Sequence, residues 1–409
     1  MNPMERTLDT ACAHVPARVS GSARLVLDLL DGLKGGALVV ELPDGSHARV
    51  GHGPLVAHWR VRDEQAFDMA LARGDIGLAE AWMDGLWDCD AQDPTALLQL
   101  LATNREQLGR AVYGRFLGVA MYRVRHWLRA NTRAGARRNI EAHYDLGNDF
   151  YRLWLDETMT YSAAVFESPD EPLAAAQRRK YRRILDRLGA RAGQSILEIG
   201  CGWGGFAEVA ATEYGCQVTC LTLSPSQLAY ARERAARGGY ADRVTFELRD
   251  YRDERGQYDH VVSIEMIEAV GERYWPAYFE RIARSLRPGG RCVIQAITIA
   301  DTLFGRYRRG TDFIQRHVFP GGMLPSPQAV HREATRAGLQ VSGDFAFGHD
   351  YAQTLRRWHD QFDAAVPAVR AQGFPERFVR MWRFYLAYCE AGFAAGDIDV
   401  HHYELEHRS

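Results

Sequence analysis

The chain has 409 residues, of which 46% are hydrophobic and 25% are charged. This composition excludes a disordered protein, a collagen-like rod and a disulfide-stapled miniprotein, and the length favours two or three domains. The 50 basic and 52 acidic residues leave a formal net charge of -2, so the chain as a whole has no field that would hold nucleic acid.

The start of the chain and its cysteines both point to the cytoplasm. Residues 1–20 lack the apolar core of a signal peptide, and no apolar run approaches the roughly 20 residues that cross a bilayer. The seven cysteines are scattered, without the paired spacing of a zinc site or a redox dithiol. We therefore expect a cytoplasmic protein with reduced thiols and no metal, which contacts a membrane only at its surface.

The first hundred residues predict a small α+β domain. Apolar residues recur with helical spacing over 23–33, and a second helix is expected from Asp63 to about Arg73. Between these helices lie three predicted strands, at 37–42, 47–50 and 55–61. The first two strands are joined by the turn-type sequence at 43–46.

Residues 104–140 form a basic and aromatic segment with nine arginines and a single acidic residue, Glu106. Aromatic and basic side chains on helical spacing can lie along an anionic membrane, where each basic residue contributes about 1 kcal/mol. The same pattern is also typical of a solvated linker helix. Composition alone leaves both interpretations open.

From about residue 194 onward, short apolar strands alternate with amphipathic helices, which is the pattern of a mostly parallel α/β sheet. Seven strands are predicted, at 195–199, 217–221, 244–248, 259–264, 291–295, 339–345 and 397–405.

A glycine-rich loop follows the first of these strands. It begins at Glu198, and its glycines at Gly200, Gly202 and Gly204 let the backbone turn sharply and approach a ligand. A tight strand-to-helix turn is the structural alternative. The spacing G-x-G-x-G differs from the G-x-G-x-x-G of dinucleotide sites, which favours S-adenosylmethionine over a nicotinamide as the ligand.

The ends of the next two strands supply further candidate cofactor residues. Many nucleotide sites have a carboxylate after the second strand to hold the ribose, but this chain has Thr222 and Gln227, which can form uncharged hydrogen bonds. After the third strand, Asp250 could accept from an adenine amine and Tyr251 could stack on the ring.

Seven segments in the same order resemble the cyclopropane-fatty-acyl-phospholipid synthase family, which is related to the mycolic acid cyclopropane synthases. They lie at 141–149, 159–162, 198–205, 221–227, 266–271, 319–326 and 388–393. One such match would be a coincidence, but seven in order along nearly the whole chain are a strong signal.

The resemblance implies a seven-stranded, Rossmann-like S-adenosylmethionine methyltransferase fold with inserted helices and a small N-terminal α+β lipid-associated domain. The domains would span 1–103, the basic linker 104–140 and the catalytic domain 141–409. Relatives that act on mycolic precursors lack the N-terminal domain, so its presence implies an acyl chain carried by phospholipid. We then favour contact between the linker and the anionic inner face of the membrane; a homodimer is left open.

The resemblance also implies the reaction. A methyl group passes from S-adenosylmethionine, contacted by Tyr161 and Ser162 among others, to a cis double bond of an unsaturated acyl chain. The resulting carbocation must lose a proton, and in the cyclopropane-forming members a bound bicarbonate accepts it. Because an alkene is a poor nucleophile, the protein contributes positioning, water exclusion and stabilisation of the cation.

The family's bicarbonate cradle maps onto this chain with two departures. The glutamate corresponds to Glu268 and the tyrosine to Tyr351, but Gln295 stands where many members have histidine and Ala163 stands where they have cysteine. Gln295 can donate a hydrogen bond but cannot carry a charge or relay a proton. Cys389 aligns with a cysteine regarded as an active-site residue, although the chemistry needs no covalent step and packing is the favoured role.

We therefore expect a cyclopropane fatty acyl product, and three alternatives stay open. The same fold could yield a methylene- or methyl-branched chain, because the departure at Gln295 puts the product in doubt. A dinucleotide-dependent reductase is disfavoured by the missing carboxylate after the second strand. A lipid-transfer protein is disfavoured by Glu268 and the complete glycine loop.

Overall fold

The computed structural model describes residues 19–112 and 146–408 and divides them into two compact units. The first unit comprises 19–112, 311–313 and 366–395, and the second comprises 146–310, 314–365 and 396–408. Most of the basic segment, from residue 113 onward, lies outside the described residues, so its membrane contact stays a prediction. No helix in the described ranges is long and apolar enough to cross a bilayer.

The first unit is built on a three-stranded sheet in the order β1 (Lys34–Glu41), β2 (His47–Val61) and β3 (Trp87–Asp88). Its N-terminal helices are Gly21–Leu30, Gln65–Arg73, Asp75–Met83, Thr95–Thr103 and Arg105–Val112. The predicted α+β character of this part of the chain is therefore found in the structure.

The two strands predicted at 47–50 and 55–61 are wrong as separate elements, because β2 runs through both. Gly51 and Gly53 have φ values of +76° and +149°, which residues with a side chain rarely adopt. The two glycines let the backbone of β2 depart locally from regular strand geometry without ending the strand. Both halves of β2 pair with β1, since Val40 is paired with Ala48 in one half and with Trp59 in the other.

A helix from the end of the chain, Glu376–Ala394, completes the core of the first unit. Arg380 is only 6% exposed, and its guanidinium lies 4.0 Å from the centroid of the Trp82 ring. It donates to the main-chain oxygen of Trp87 at 2.7 Å and pairs with Asp88 at 3.2 Å. The predicted catalytic domain, 141–409, includes this helix. An amphipathic pattern shows that a helix is buried but not what it packs against, so the sequence did not indicate its place in the first unit.

The second unit contains a seven-stranded sheet, and the predicted α/β class is confirmed. Its strands are β4 (Ser195–Ile199), β5 (Gln217–Thr222), β6 (Val244–Leu248), β7 (Tyr258–Ile264), β8 (Leu286–Ile299), β9 (Leu339–Ala346) and β10 (Ile398–His407). They lie in the order β6-β5-β4-β7-β8-β10-β9. The first five of these are parallel, and β10 is antiparallel to both β8 and β9.

Both faces of this sheet are covered. Neighbouring strand residues alternate between two apolar clusters, so that Val261 belongs to one cluster and Val262 to the other. The helices of this unit are Asn148–Arg152, Leu173–Leu188, Gly205–Thr212, Pro225–Gly238, Ile267–Val270, Trp275–Ser285, Asp301–Tyr307, Pro327–Arg336 and most of Gly348–Ala371.

The strand order reverses at β4, whose neighbours are β5 on one side and β7 on the other. At such a point the connections leave the sheet in opposite directions and open a crevice at the carboxyl ends of the strands. The fold therefore predicts a ligand site after β4.

Candidate active site

A pocket with about 1110 Å³ of empty space, part of it open to solvent, lies at the carboxyl ends of β4 to β7. It brings together nine of the ten predicted cofactor residues, namely Tyr161, Ser162, Glu198, Gly200, Gly202, Thr222, Gln227, Asp250 and Tyr251. The tenth, Gly204, precedes the lining residue Gly205.

The loop after β4 has the conformation that its glycines suggested. Gly200, Gly202 and Gly204 have φ values of +84°, +50° and +82°, in the region that disfavours side chains. A Cβ on Gly202 would meet no protein atom within 4 Å, so the backbone here faces free space beside the pocket. This open backbone can approach a ligand closely.

The candidate cofactor residues after β5 and β6 are held in place by neighbouring side chains. Thr222 donates to the Gln227 side-chain oxygen at 3.2 Å, and Asp250 accepts from the Arg252 side chain at 2.8 Å. Tyr251 is held edge-on against Tyr278, with ring centroids 5.6 Å apart. The side chains proposed for the ribose and the adenine are thus fixed by their neighbours, which reduces the ordering cost of binding.

A buried lysine lies beside the cofactor pocket, on the helix Leu173–Leu188. Lys180 is fully buried, and its Nζ donates to the Ser162 hydroxyl at 2.5 Å. Burial lowers the pKa of Lys180 to about 7, against the attraction of Glu265 and of other nearby carboxyls. Burial also raises the pKa of Glu198 to about 8.

Aromatic rings surround Tyr161 on the wall of the pocket. The ring centroids of Tyr151, Trp154 and Trp358 lie 5.5, 5.4 and 5.3 Å from that of Tyr161. Tyr151 also contacts Trp203 of the glycine loop at 5.1 Å. Of these rings Tyr161 and Trp203 line the pocket, where their electron-rich faces can meet a cation, and the buried rings behind them exclude water.

Glu265, the first residue after β7, is the centre of the polar cluster at the pocket. Its Oε1 accepts from the Ala163 main-chain nitrogen at 2.9 Å and from the Gln295 amide nitrogen at 2.7 Å. Its Oε2 accepts from the Tyr351 hydroxyl at 2.7 Å. Three groups that the resemblance assigned to the bicarbonate cradle therefore bind a carboxylate of the chain itself.

The ionisation of Glu265 is set by opposing effects. Burial raises the pKa of its carboxyl above the ordinary range. The charge of Lys180 and the hydrogen bonds from Tyr351, Ala163 and Gln295 act against that rise. The residue also has a φ of +50°, which is uncommon for a residue with a side chain, and strained backbone of this kind clusters at active sites.

Glu268 lies on the next helix, Ile267–Val270, and has a different environment. Its Oε1 accepts from the Ile297 main-chain nitrogen, while its buried Oε2 has no hydrogen-bond partner among the described residues. Burial, and secondly the charge of Glu265, raise the pKa of Glu268 to about 8. Glu268 is therefore largely protonated near neutral pH.

This difference predicts how stability depends on pH. Between about 4.5 and 8 the folded protein keeps a proton on Glu268 that the unfolded chain has lost, so this group makes the fold less stable as the pH rises. We expect the Glu268→Gln variant, which imitates the neutral acid, to gain in melting temperature relative to the wild type between pH 5 and pH 9.

The measurement is thermal unfolding of the unliganded protein across that range. The exposed Glu280→Gln variant, on the helix Trp275–Ser285, is the matched control and should run parallel to the wild type. A difference for Glu268→Gln that stays constant with pH would contradict the assignment of the proton to Glu268.

The structure does not place Cys389 at this pocket. The residue belongs to the helix Glu376–Ala394 of the first unit, and burial raises the pKa of its thiol. A buried thiol with a raised pKa is a poor nucleophile, which agrees with the packing role favoured from sequence.

Sequence reasoning missed Glu265, Lys180 and His402. Glu265 directly follows a strand at the carboxyl edge of the sheet, where α/β folds present ligand-binding residues, and this position could have identified it. Lys180 and His402 lie within an amphipathic helix and a strand, and no local pattern distinguishes them from surface residues.

Comparison with known proteins identifies the family of this chain. A family model described as mycolic acid cyclopropane synthetase matches residues 131–403. The chain belongs to this family. Tuberculostearic acid methyltransferase UfaA1 of Mycobacterium tuberculosis is 42% identical over 360 residues, which cover 82% of this chain and 81% of the relative.

Two further relatives extend the likeness to structure. The cyclopropane-fatty-acyl-phospholipid synthase of Escherichia coli K12 is 34% identical over 351 residues, covering 85% of this chain and 87% of the relative. A crystal structure of mycolic acid cyclopropane synthase CmaA1 complexed with SAH and CTAB is 31% identical with a TM-score of 0.62, covering 66% of this chain and 97% of that one.

The resemblance stated from sequence and the methyltransferase fold are thereby confirmed, and the chain is an S-adenosylmethionine-dependent methyltransferase of the cyclopropane synthase type. The pocket fits this cofactor, because the loop at Gly202 leaves room for close backbone approach and the polar side chains of Thr222 and Gln227 line the pocket. When bound, the cofactor supplies an electrophilic methyl group on a positively charged sulfur.

Proposed function

We propose that this methyltransferase acts on the cis double bond of an unsaturated acyl chain carried by phospholipid and leaves a methylene-branched chain. The observation that carries the proposal is the position of Glu265, whose carboxylate is bound by Ala163, Gln295 and Tyr351. The names of the Escherichia coli and Mycobacterium tuberculosis relatives, which refer to a fatty-acyl phospholipid and to tuberculostearic acid, support the substrate class.

The Glu265 carboxylate already occupies the hydrogen-bond donors that the resemblance assigned to a bicarbonate. A second anion would compete for the same three donors and would meet a carboxylate at close range, which is unfavourable in a partly desolvated site. The residues present therefore do not fit a bound bicarbonate. Glu265 itself is the base: its carboxylate accepts from three donors, and the charge of Lys180 acts against the effect of burial on its pKa.

The family resemblance favours a cyclopropane, whereas the position of Glu265 favours the methylene-branched alternative. After methyl transfer the acyl chain carries a cation on the carbon next to the new branch. Glu265 is tethered by its own backbone, which donates to the Gln295 carbonyl oxygen at 2.8 Å, and cannot follow the methyl group as a free anion could. The cation then persists long enough for a hydride to move from the branched carbon to its neighbour.

The hydride shift places the positive charge on the branched carbon, where it is more stable because that carbon bears three alkyl groups. Loss of a proton from the branch to Glu265 then forms a double bond between the branch carbon and the chain, which is a methylene group, with no oxidant or reductant needed. Tyr161 and Trp203, the rings of the aromatic cluster that line the pocket, provide faces that stabilise the cation while it exists.

Product analysis tests the proposal. The enzyme is combined with unsaturated phospholipid vesicles and trideuteromethyl-labelled S-adenosylmethionine, with bicarbonate either removed or restored. Because the cyclopropane and the methylene product are isomers of equal mass, they are distinguished by deuterium NMR, which resolves ring deuterium from vinylidene deuterium. We expect a methylene product that retains two deuterium atoms and forms at the same rate in both arms.

A cyclopropane whose rate rises with bicarbonate would overturn the assignment of the product. Retention of all three deuterium atoms would show that the proton leaves from the chain and not from the branch. Vesicles of saturated phospholipid are the matched control, because they offer the same surface without a double bond, and turnover on them would contradict the proposed acceptor.

A further inference from the structure

A buried histidine stands directly behind the amide that holds Glu265. His402 of β10 and Gln295 of β8 are opposite each other in the antiparallel register, and both side chains are fully buried. The His402 Nε2 lies 2.9 Å from the Gln295 side-chain oxygen. This pairing joins the last strand of the chain to the proposed base through a single residue.

The hydrogen bonds fix the orientation of the amide. If the Gln295 side chain were flipped, its oxygen would face the Oε1 of Glu265, and its nitrogen would face the imidazole. Two acceptors would then meet at 2.7 Å, which is unfavourable. The observed arrangement has the amide nitrogen on Glu265 and the amide oxygen on His402.

The same logic fixes the tautomer of His402. Its Nδ1 is buried and has no partner among the described residues, whereas Nε2 faces an oxygen that can only accept. The proton therefore belongs on Nε2. Burial lowers the pKa of His402 well below its ordinary value, so the ring is neutral. The rings of Phe347 and Phe345 pack against it, with centroids 4.7 and 6.2 Å away.

We propose that His402 is a positioning residue for the proton-transfer step, acting through Gln295 to aim a hydrogen bond at the Glu265 carboxylate. The family resemblance placed a histidine at position 295, and this chain has a glutamine there with a histidine directly across the sheet. The inference rests on the proposed function of Glu265 as the base.

The expected effect is on the chemical step. In the His402→Leu variant the Gln295 oxygen loses its donor and the amide is free to turn. Glu265 then adopts its productive position for a smaller fraction of the time. We expect kcat to fall roughly 10- to 100-fold, the range seen when a group that orients a functional residue is removed. The KM values for S-adenosylmethionine and for the vesicles should change less than about twofold, because His402 contacts neither.

Two further variants separate positioning from general damage. His402→Gln restores a donor at nearly the same reach and should recover most of the lost kcat. His401→Leu, on the next residue of the same strand, removes a side chain bound to Asp344 at 2.6 Å on the other face of the sheet and should leave kcat per folded molecule unchanged.

A double-mutant cycle keeps the inference testable if His402→Leu folds poorly. The Gln295→Leu variant and the Gln295→Leu, His402→Leu pair are compared, since an apolar pair leaves no unsatisfied buried group between the strands. If His402 acts through Gln295, the pair should turn over at the same rate as Gln295→Leu alone. A further drop of tenfold or more would show another role for His402 and overturn the inference.

The outcomes are distinguishable from failure of the proposed function. If the wild-type enzyme methylates unsaturated phospholipid but His402→Leu matches it in kcat, only the inference fails. If His402→Leu and His401→Leu lose activity equally, the loss is structural and the inference fails as well. If the wild type forms no lipid product while still binding S-adenosylmethionine, the proposed function fails.

Discussion

Replacement of Glu265 by glutamine should lower turnover on unsaturated phospholipid by about 10² to 10⁴, the usual contribution of a positioned acid or base. The amide has the same shape but accepts no proton, and its nitrogen would face the donors on Ala163, Gln295 or Tyr351. The affinity for S-adenosylmethionine, measured by calorimetry, should change little, which locates the loss in the chemistry that follows binding.

The control for this variant is Glu213→Gln. Glu213 is also a hydrogen-bonded glutamate of the second unit, but it pairs with Arg182 at the surface, away from the pocket residues. It should keep full turnover. If Glu265→Gln keeps full turnover as well, Glu265 is not the base and the product argument built on it fails.

Replacement of Glu265 by glycine tests whether a small anion can take the place of its carboxylate. Glu265→Gly removes the carboxylate but leaves the donors of Ala163, Gln295 and Tyr351 in place, and the φ of +50° suits glycine better than glutamate. A small anion can then enter the space. We expect an enzyme that is inactive without bicarbonate, regains activity when bicarbonate is added, and forms a larger share of cyclopropane than the wild type.

The strands of the catalytic sheet could be predicted from the sequence, whereas the hydrogen-bond partners of Glu265 could not. Strands β4 to β7 each have a local apolar pattern bounded by turn residues, so their positions follow from a few consecutive side chains. The glycine loop is equally local. Its three positive φ values are a property of the backbone at Gly200, Gly202 and Gly204 themselves.

The cluster at Glu265 depends on residues far apart in the chain. Ala163, Gln295 and Tyr351 meet one carboxylate only because the sheet register and the packing of the helix Gly348–Ala371 bring them there. A motif assigns roles to aligned positions and cannot show which other side chains the fold brings to the same hydrogen-bond donors. That is why the sequence suggested Glu268 and bicarbonate.

The N-terminal boundary illustrates the same limit at the level of domains. The α+β pattern ends near residue 103, yet the unit is completed by Glu376–Ala394, almost three hundred residues later. Arg380 is buried against Trp82 because its guanidinium finds main-chain acceptors there. Hydrophobic periodicity cannot identify such a partner, since many apolar faces would satisfy it equally.

Replacement of Gly202 by valine should abolish S-adenosylmethionine binding while leaving the protein folded. A Cβ at this position meets no protein atom within 4 Å, so the side chain would extend into space next to the pocket, where the backbone would otherwise approach the cofactor. The φ of +50° adds a strain of about 1–3 kcal/mol for a residue with a side chain, which affects stability whether or not a ligand is bound.

Gly239→Val separates the loss of binding from this strain. Gly239 ends the helix Pro225–Gly238 with a φ of +70°, and a Cβ there also meets no protein atom within 4 Å, but the residue does not line the pocket. Both variants should therefore lose similar amounts of thermal stability, since both place a β-branched residue in the same disfavoured region. Only Gly202→Val should lose the calorimetric binding signal and the rise in melting temperature that a ligand produces by binding the folded state. Equal affinities in the two variants would mean that the loop does not approach the cofactor through its backbone, and the cofactor would have to lie against other residues of the pocket.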